Sequence, residues 1–216
     1  MDFRLAWHSY NGHNVLLGVV SRAIARVFVG SPLCRDPEWL EAFIGYTQDV
    51  FQLAGILRNR HWLVRPLVYP FLSSRRRIKS RLSIAKKHLL PLPQERAISQ
   101  RESQYQDLLQ WITDSAKGKE KAPEHLLLKI LFLCMASIHT STATTCHALF
   151  DLCAMPEIVQ PLRIEIDEAL KDHGSIIIVA INDMKLLDSF LKESQRKNHP
   201  GSCKSMSEYT IVHLDM

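Results

Sequence analysis

The sequence predicts a mainly α fold built around one long central helix. Three observations point there. Apolar residues recur every three or four positions in successive segments, as on one face of an α-helix. Residues 124–154 are apolar nearly all round, with only Glu124, Lys129 and Asp151 as charges, which marks a helix in the middle of a domain. Strand-like runs are short and few: a β-branched stretch at 175–181 and a weak alternation at 209–214.

The elements follow in order. Residues 14–28 place Leu16, Leu17, Val20, Ile24, Val27 and Phe28 at helical spacing, and Gly30, Ser31 and Pro32 end that helix. Asp36 reads as the cap of the next helix, with Pro37 at its first position. That helix continues through Leu40, Phe43, Ile44, Thr47, Val50, Phe51 and Ala54, and Gly45 and Gly55 weaken it by about 1 kcal/mol each. Pro66 and Pro70 bracket a connector or brief helix. Ser73 or Ser74 caps a basic helix running to about Leu90, which Pro91 and Pro93 close. Residues 105–116 form a helix with Leu108, Leu109 and Ile112 on one face, and Gly118 lies in a loop.

The central helix carries Thr140, Thr142, Thr144 and Thr145, an unusual cluster for a helix interior. Threonine lowers helix propensity and can bond back to the preceding turn, so a functional distortion is expected there. Pro156 starts the following helix, which runs to about Lys171. Pro161 lies inside it and lacks a donor, so a kink or a late start is expected. Residues 175–181 are read as a connector between helices, with a strand as the alternative. Asn182 caps a last helix, 182–196, with Leu186, Leu187, Phe190 and Leu191 inward. The tail at 209–214 resembles the first strand of a hairpin whose partner is missing.

Composition sets the outer limits. A chain of 216 residues that is 46% hydrophobic and 23% charged supports one sizeable core and is short for two, so a single domain over 1–216 is expected. The five cysteines, Cys34, Cys134, Cys146, Cys153 and Cys203, are odd in number and form no CxxC pair, which argues against zinc and disulfide frameworks. No uncharged apolar run reaches eighteen residues, so no membrane span is expected in this chain. Asp2, Arg4 and His8 interrupt the first residues, unlike a secretory signal, which argues against secretion, and a cytoplasmic location is expected for this chain. The net charge of +5 is concentrated in Arg75, Arg76, Arg77, Lys79, Arg81, Lys86 and Lys87. Such a block suits a solvated helix face or an anionic partner. Without interleaved aromatics or a recognition motif, no nucleic-acid partner is expected.

Candidate chemistry is sparse. Glu193 and Arg196 are three residues apart on one helix and lie on one face, as an ordinary salt bridge would. His139 and Thr140 form a polar notch in the central apolar helix. A histidine there is either a hydrogen-bonded core residue or part of a pocket. His139 and His147 are two turns apart, and without a third ligand they make no metal site. The motifs HExxH, GxSxG, GxGxxG and GxxxxGK[ST] are absent, so metalloprotease, nucleophilic hydrolase, dinucleotide-binding and P-loop chemistries lack support.

Five segments, in order and spacing, resemble the filamentous-fungal branch of the cytochrome P450 family: SRAIARVFVGSPLCRDPEWL (21–40), LLQWITDSA (108–116), ASIHTSTATT (136–145), PEIVQPLRIEIDEAL (156–170) and KLLDSFLKESQR (185–196). The resemblance implies a partial P450 fold with a long I-type central helix, lacking the N-terminal part and the haem-ligand loop. It implies haem as the cofactor of the intact enzyme, a reductase as partner, a small apolar substrate, and the cytosolic face of the endoplasmic reticulum for intact relatives. Glu193 and Arg196 match the E-x-x-R pair of the K helix. Thr140 matches the threonine that assists proton delivery during dioxygen activation. His139 stands where many relatives carry an acidic residue, and Ala136 and Ser137 match the small pair where the I helix opens over the haem. Cys203 follows Arg196 by seven residues, in NHPGSCKSMSEY, and does not match the ligand loop. The expected function is oxidation of an apolar secondary-metabolite intermediate. The alternatives are a catalytically inactive remnant and a small helical interaction protein.

Overall fold

The computed structural model describes residues 8–98, 105–198 and 212–214. Described helices follow a short strand, β1 (His8–Tyr10): α1 (Gly12–Val29), α2 (Pro37–Arg58), α3 (Arg65–Val68), α4 (Ser73–Leu89), α5 (Leu92–Ile98), α6 (Leu108–Ser115), α7 (Pro123–Ala154), α8 (Val159–His173), α9 (Ile178–Asp183) and α10 (Lys185–Lys197). A second strand, β2 (Val212–Leu214), comes last. The mainly helical fold with a long central helix is therefore present. The chain divides into two compact units, Gly18–His139 and Thr140–Met216 with Met1–Leu17.

In the first unit, α2 and α4 pack along each other. Trp39, Phe43 and Ala42 of α2 and Ala85 and Leu89 of α4 are buried, as are Leu126, Leu127, Ile130, Leu131 and Ile138 of α7. Each fully buried large side chain contributes about 1.5–3 kcal/mol relative to exposure. The Asp36 cap forms as expected, its carboxylate accepting from the Trp39 amide at 3.0 Å with Pro37 in the first turn.

Polar contacts lock α4 onto α2. Asp49 accepts from Arg77 Nε at 2.6 Å and Arg81 Nε at 2.8 Å, and Glu38 pairs with Lys87 and His88. Much of the basic block is thus committed to α2. Gly45, which costs helix propensity, has a local reason: the Arg81 guanidinium occupies the space its Cβ would need.

A second clamp joins three segments. Arg96 donates through Nη1 and Nη2 to both Asp107 oxygens at 2.8 Å, and Nη2 also reaches the Val29 carbonyl at 3.1 Å. The guanidinium stacks 4.3 Å from the Tyr105 ring centroid. Asp107 also caps α6 by accepting from the Gln110 amide at 3.0 Å. Gly30 passes beside this carboxylate at φ 71°, where a Cβ would stand 2.6 Å from Asp107 Oδ2.

In the second unit, Ala148, Leu162 and Phe190 form a core with Leu152, Met155, Ile158, Leu187 and Leu191 around it, so α10 packs on α7 and α8 as expected of the helix carrying Glu193. Pro161 proves to be a late-start signal. A 3-10 turn at Pro156–Ile158 precedes α8, which begins at Val159, so Pro161 falls in the first turn where its missing N–H is not needed.

Three local expectations change. Ser73 and Ser74 do not cap α4: Leu72 is the cap residue without a side-chain bond, and Ser74 is buried inside the first turn, donating to Gln52 Oε1. The basic helix does end where expected, at Leu89 with Leu90 as its cap residue, and a separate helix, α5, starts at Leu92 with Pro93 in its first turn. Asn182 does not cap the last helix. It lies in α9, and α10 is capped from outside its own sequence by Glu165 of α8, whose oxygens accept from the Leu186 and Leu187 amides at 2.6 and 2.9 Å. The strand in the tail does have a partner: β2 pairs antiparallel with β1, His8 opposite Leu214 and Tyr10 opposite Val212.

Two helices, α1 and α7, are long and apolar enough to cross a membrane by length and composition alone, a test that the core helix of a soluble protein also meets. Exposed apolar side chains gather in the α2–α4 connector, where Trp62, Leu67 and Phe71 are 67%, 71% and 81% exposed.

Candidate functional site

The sequence-derived site residues lie on α7 and α10. α7 runs as unbroken α-helix from Pro123 to Ala154, so Ala136 and Ser137 sit in regular helix. Its hydroxyls are accommodated by back-bonding. Ser137 donates to the Leu133 carbonyl and Thr145 to the Ser141 carbonyl, both at 2.8 Å. Thr142 is fully buried. The threonine cluster therefore leaves the helix helical where a distortion was expected.

His139 is half-buried and faces α2. Its Nε2 lies 2.8 Å from Thr47 Oγ1, and its ring meets Phe51 edge-on at 5.6 Å and 80°. Thr47 Oγ1 also donates to the Ile44 carbonyl at 2.6 Å. A threonine hydroxyl has one proton, and a carbonyl can only accept. With that proton on the Ile44 carbonyl, Thr47 accepts from His139, so Nε2 carries hydrogen. In the neutral ring the basic lone pair is then on Nδ1.

Thr140, the next residue, is exposed, as is Ala136, while Ser137 is half-buried. Successive helical residues are about 100° apart around the axis, so His139 and Thr140 point in different directions. Thr47 and Phe51 are the partners that sequence reasoning missed. Both were placed on the apolar face of the second helix, and the signal available was a hydroxyl within that face.

On α10, Glu193 and Arg196 close on each other. Arg196 donates Nε to Oε2 and Nη2 to Oε1, both at 2.7 Å, with Lys197 at 3.7 Å. The guanidinium hydrogen bonds pull the Glu193 carboxyl down to about 2, and the pair raises Arg196 above its ordinary value. Both side chains are largely solvent-exposed, so the pair is screened. On the buried side of the same helix, Ser194 and Asn198 donate to Asp151 Oδ2 at 2.5 and 3.0 Å, tying α10 to α7. Asp151 was noted only as a charge in the central segment, and its role as a junction had no sequence signal.

Two of the described cysteines, Cys134 and Cys146, are poor thiolate ligands. Cys34, Cys134 and Cys146 are buried, and Cys153 is exposed in the last turn of α7. Burial pushes the Cys134 thiol well above its ordinary range and raises Cys146. Cys203 lies outside the described residues. Among the described residues no group of three or more His, Cys, Asp or Glu side chains could hold a metal ion.

A family model, Cytochrome P450, matches residues 7–208. Among curated relatives, the cytochrome P450 monooxygenase AN1598 of Emericella nidulans is 40% identical over 200 residues, covering 90% of this chain and 38% of the relative. The cytochrome P450 monooxygenase paxP of Penicillium paxilli is 37% identical, covering 96% of the chain and 41% of the relative. The ent-kaurene oxidase of Gibberella intermedia is 36% identical, covering 89% and 36%. The chain thus spans about two-fifths of the length of these relatives. The match along almost all of its residues means that this chain belongs to the cytochrome P450 family.

Proposed function

We propose that the chain is the central-helix segment of a fungal haem-dependent monooxygenase that oxidises an apolar secondary-metabolite intermediate with electrons from a reductase. Family membership carries this reading, and a relative that is an ent-kaurene oxidase supports an apolar substrate. By analogy with intact relatives, the full enzyme works at the cytosolic face of the endoplasmic reticulum.

Haem is the cofactor of the intact family, and it supplies the oxidative chemistry while protein groups position and tune it. Of the described cysteines, Cys134 and Cys146 do not fit as its thiolate ligand, because burial favours the neutral thiol, and the exposed Cys153 sits in the last turn of α7 and not in a ligand loop. Accordingly no catalytic step is assigned to the 216-residue chain on its own, and the reading of a catalytically inactive fragment is retained for it. Within the family role, Thr140, exposed on α7, is the proton-delivering residue. His139 positions α7 against α2 through Thr47. Glu193 and Arg196 brace the segment that follows α10, and Ala136 and Ser137 provide the small-residue face near the cofactor.

The test is to express the chain with haem supplied, reduce it and add carbon monoxide. The expected result is no red-shifted Soret band of the thiolate-ligated type. A stable band that disappears in Cys203→Ala would overturn the assignment of the isolated chain as inactive. In a full-length context, Thr140→Ala is expected to raise the fraction of electrons lost as peroxide, and unchanged coupling would remove Thr140 from proton delivery.

A further inference from the structure

The α1 helix and the turn that follows it carry a charge arrangement that the family role does not use. Arg22 and Arg26 are four residues apart on α1 and therefore share a face. After Gly30 turns the chain, a 3-10 turn at Leu33–Arg35 brings a third arginine back to the same place. Arg22, Arg26 and Arg35, with Ala23 and Cys34, line one cavity of about 550 Å³.

All three arginines are exposed at the cavity. Three other arginines of this unit have carboxylate partners: Arg77 and Arg81 share Asp49, and Arg96 holds Asp107. Among the described residues no carboxylate pairs with Arg22, Arg26 or Arg35. The nearest acid in sequence, Asp36, is engaged in capping α2 through the Trp39 amide. Like charges at i and i+4 on a helix repel, and a third cation at the same cavity adds to that repulsion. A bound anion with several acceptor oxygens removes it. Guanidinium groups present planar, paired donors that match phosphate oxygens, and three of them satisfy a phosphate group from several sides.

The geometry points to a phosphate-binding site formed by Arg22, Arg26 and Arg35 at the end of α1. The ligand chemistry is a phosphate group, free in solution or on a lipid headgroup. Ala23 and the buried Cys34 complete the lining, and the three guanidinium groups select by charge and oxygen geometry.

The experiment titrates inorganic phosphate into the full chain by calorimetry, with sodium chloride at matched ionic strength as the reference. In parallel, phosphatidylcholine vesicles with and without phosphatidic acid are tested for co-sedimentation. Saturable phosphate binding is expected, weakened about tenfold in Arg26→Gln and in Arg35→Gln, since each removes a charge-assisted hydrogen bond to the anion. These two variants lie on different elements, and far-UV circular dichroism checks that each remains folded. Arg76→Gln on α4, an equal change of charge elsewhere, is expected to change affinity less than about twofold. Capture by phosphatidic acid vesicles that free phosphate displaces assigns the group to a headgroup, whereas binding of free phosphate without vesicle capture assigns it to a soluble ligand. Absence of both, or equal weakening by Arg76→Gln, overturns the site.

Discussion

Two bidentate arginine–carboxylate pairs of nearly equal length sit in very different surroundings. Arg96 and Asp107 meet through two hydrogen bonds at 2.8 Å with only 6% and 4% of their side chains exposed. Glu193 and Arg196 meet through two at 2.7 Å with 47% and 70% exposed. The buried pair has a third anchor at the Val29 carbonyl, a stacked Tyr105 and a capped helix depending on it. The exposed pair spans one turn of a single helix. The difference teaches that an ion pair's structural weight comes from what else its atoms hold and from how much water competes.

Breaking the buried pair gives the largest effect. Arg96→Ala leaves the Asp107 charge buried without its partner, which costs on the order of 3–5 kcal/mol. Urea unfolding is expected to show a greatly lowered midpoint, and a loss below about 1 kcal/mol would mean that Asp107 finds water instead.

Gly30→Ala probes the same clamp from the backbone. A non-glycine residue at φ 71° costs about 1–2 kcal/mol, and its methyl group would displace Asp107 Oδ2. Thermal unfolding checks this, and Arg96→Ala with Gly30→Ala should be less than additive because both act on one carboxylate.

A neutral contact lies between the two extremes. Thr47→Val removes the acceptor of His139 Nε2–H, with an expected destabilisation of about 1 kcal/mol. The accompanying readout is the His139 ring by NMR, where loss of the Nε2 tautomer preference is expected. An unaltered ring spectrum would remove Thr47 as the group that sets it.

The exposed pair gives the smallest change in stability. Glu193→Gln is expected to leave the unfolding midpoint unchanged within error at physiological salt. Its signature is in titration. With the folded carboxyl at about 2 against an ordinary 4.5, the pair's contribution is present above pH 4.5 and is lost as pH falls through about 2. Carboxyl NMR should show that low inflection, and Arg196→Gln should move it back toward 4.5.

The same contrast explains what could be read from sequence. The Glu193–Arg196 pair was visible because its spacing is a helical repeat. So were α1, α2, α7 and the Asp36–Pro37 start, where local propensity and apolar period agree. The Arg96–Asp107 pair had no such signal, since its members do not share one helix: Arg96 lies on α5 and Asp107 caps α6. Glu165 capping α10 is the same kind of case. Asn182 had the right chemistry for a cap, but a carboxylate from a neighbouring helix held the amides. At the candidate site, the positions of His139 and Thr140 on the long helix were legible, and the partner that fixes His139 was not. Nothing in a single helix's pattern tells which neighbour its polar side chains will meet.

The antiparallel ladder between His8–Tyr10 and Val212–Leu214 has a kinetic consequence. Bringing together segments so distant in sequence carries a chain-closure entropy on the order of 5 kcal/mol for an otherwise flexible chain. Three residue pairs in a two-stranded ladder are too few to offset that before the helices have formed. Helix formation and local packing are fast, and pairings of high sequence separation come late. The ladder should therefore close last during folding and open first under native conditions, with the amides of Ser9 and His213 exchanging by local fraying and those of α7 exchanging only on wider unfolding.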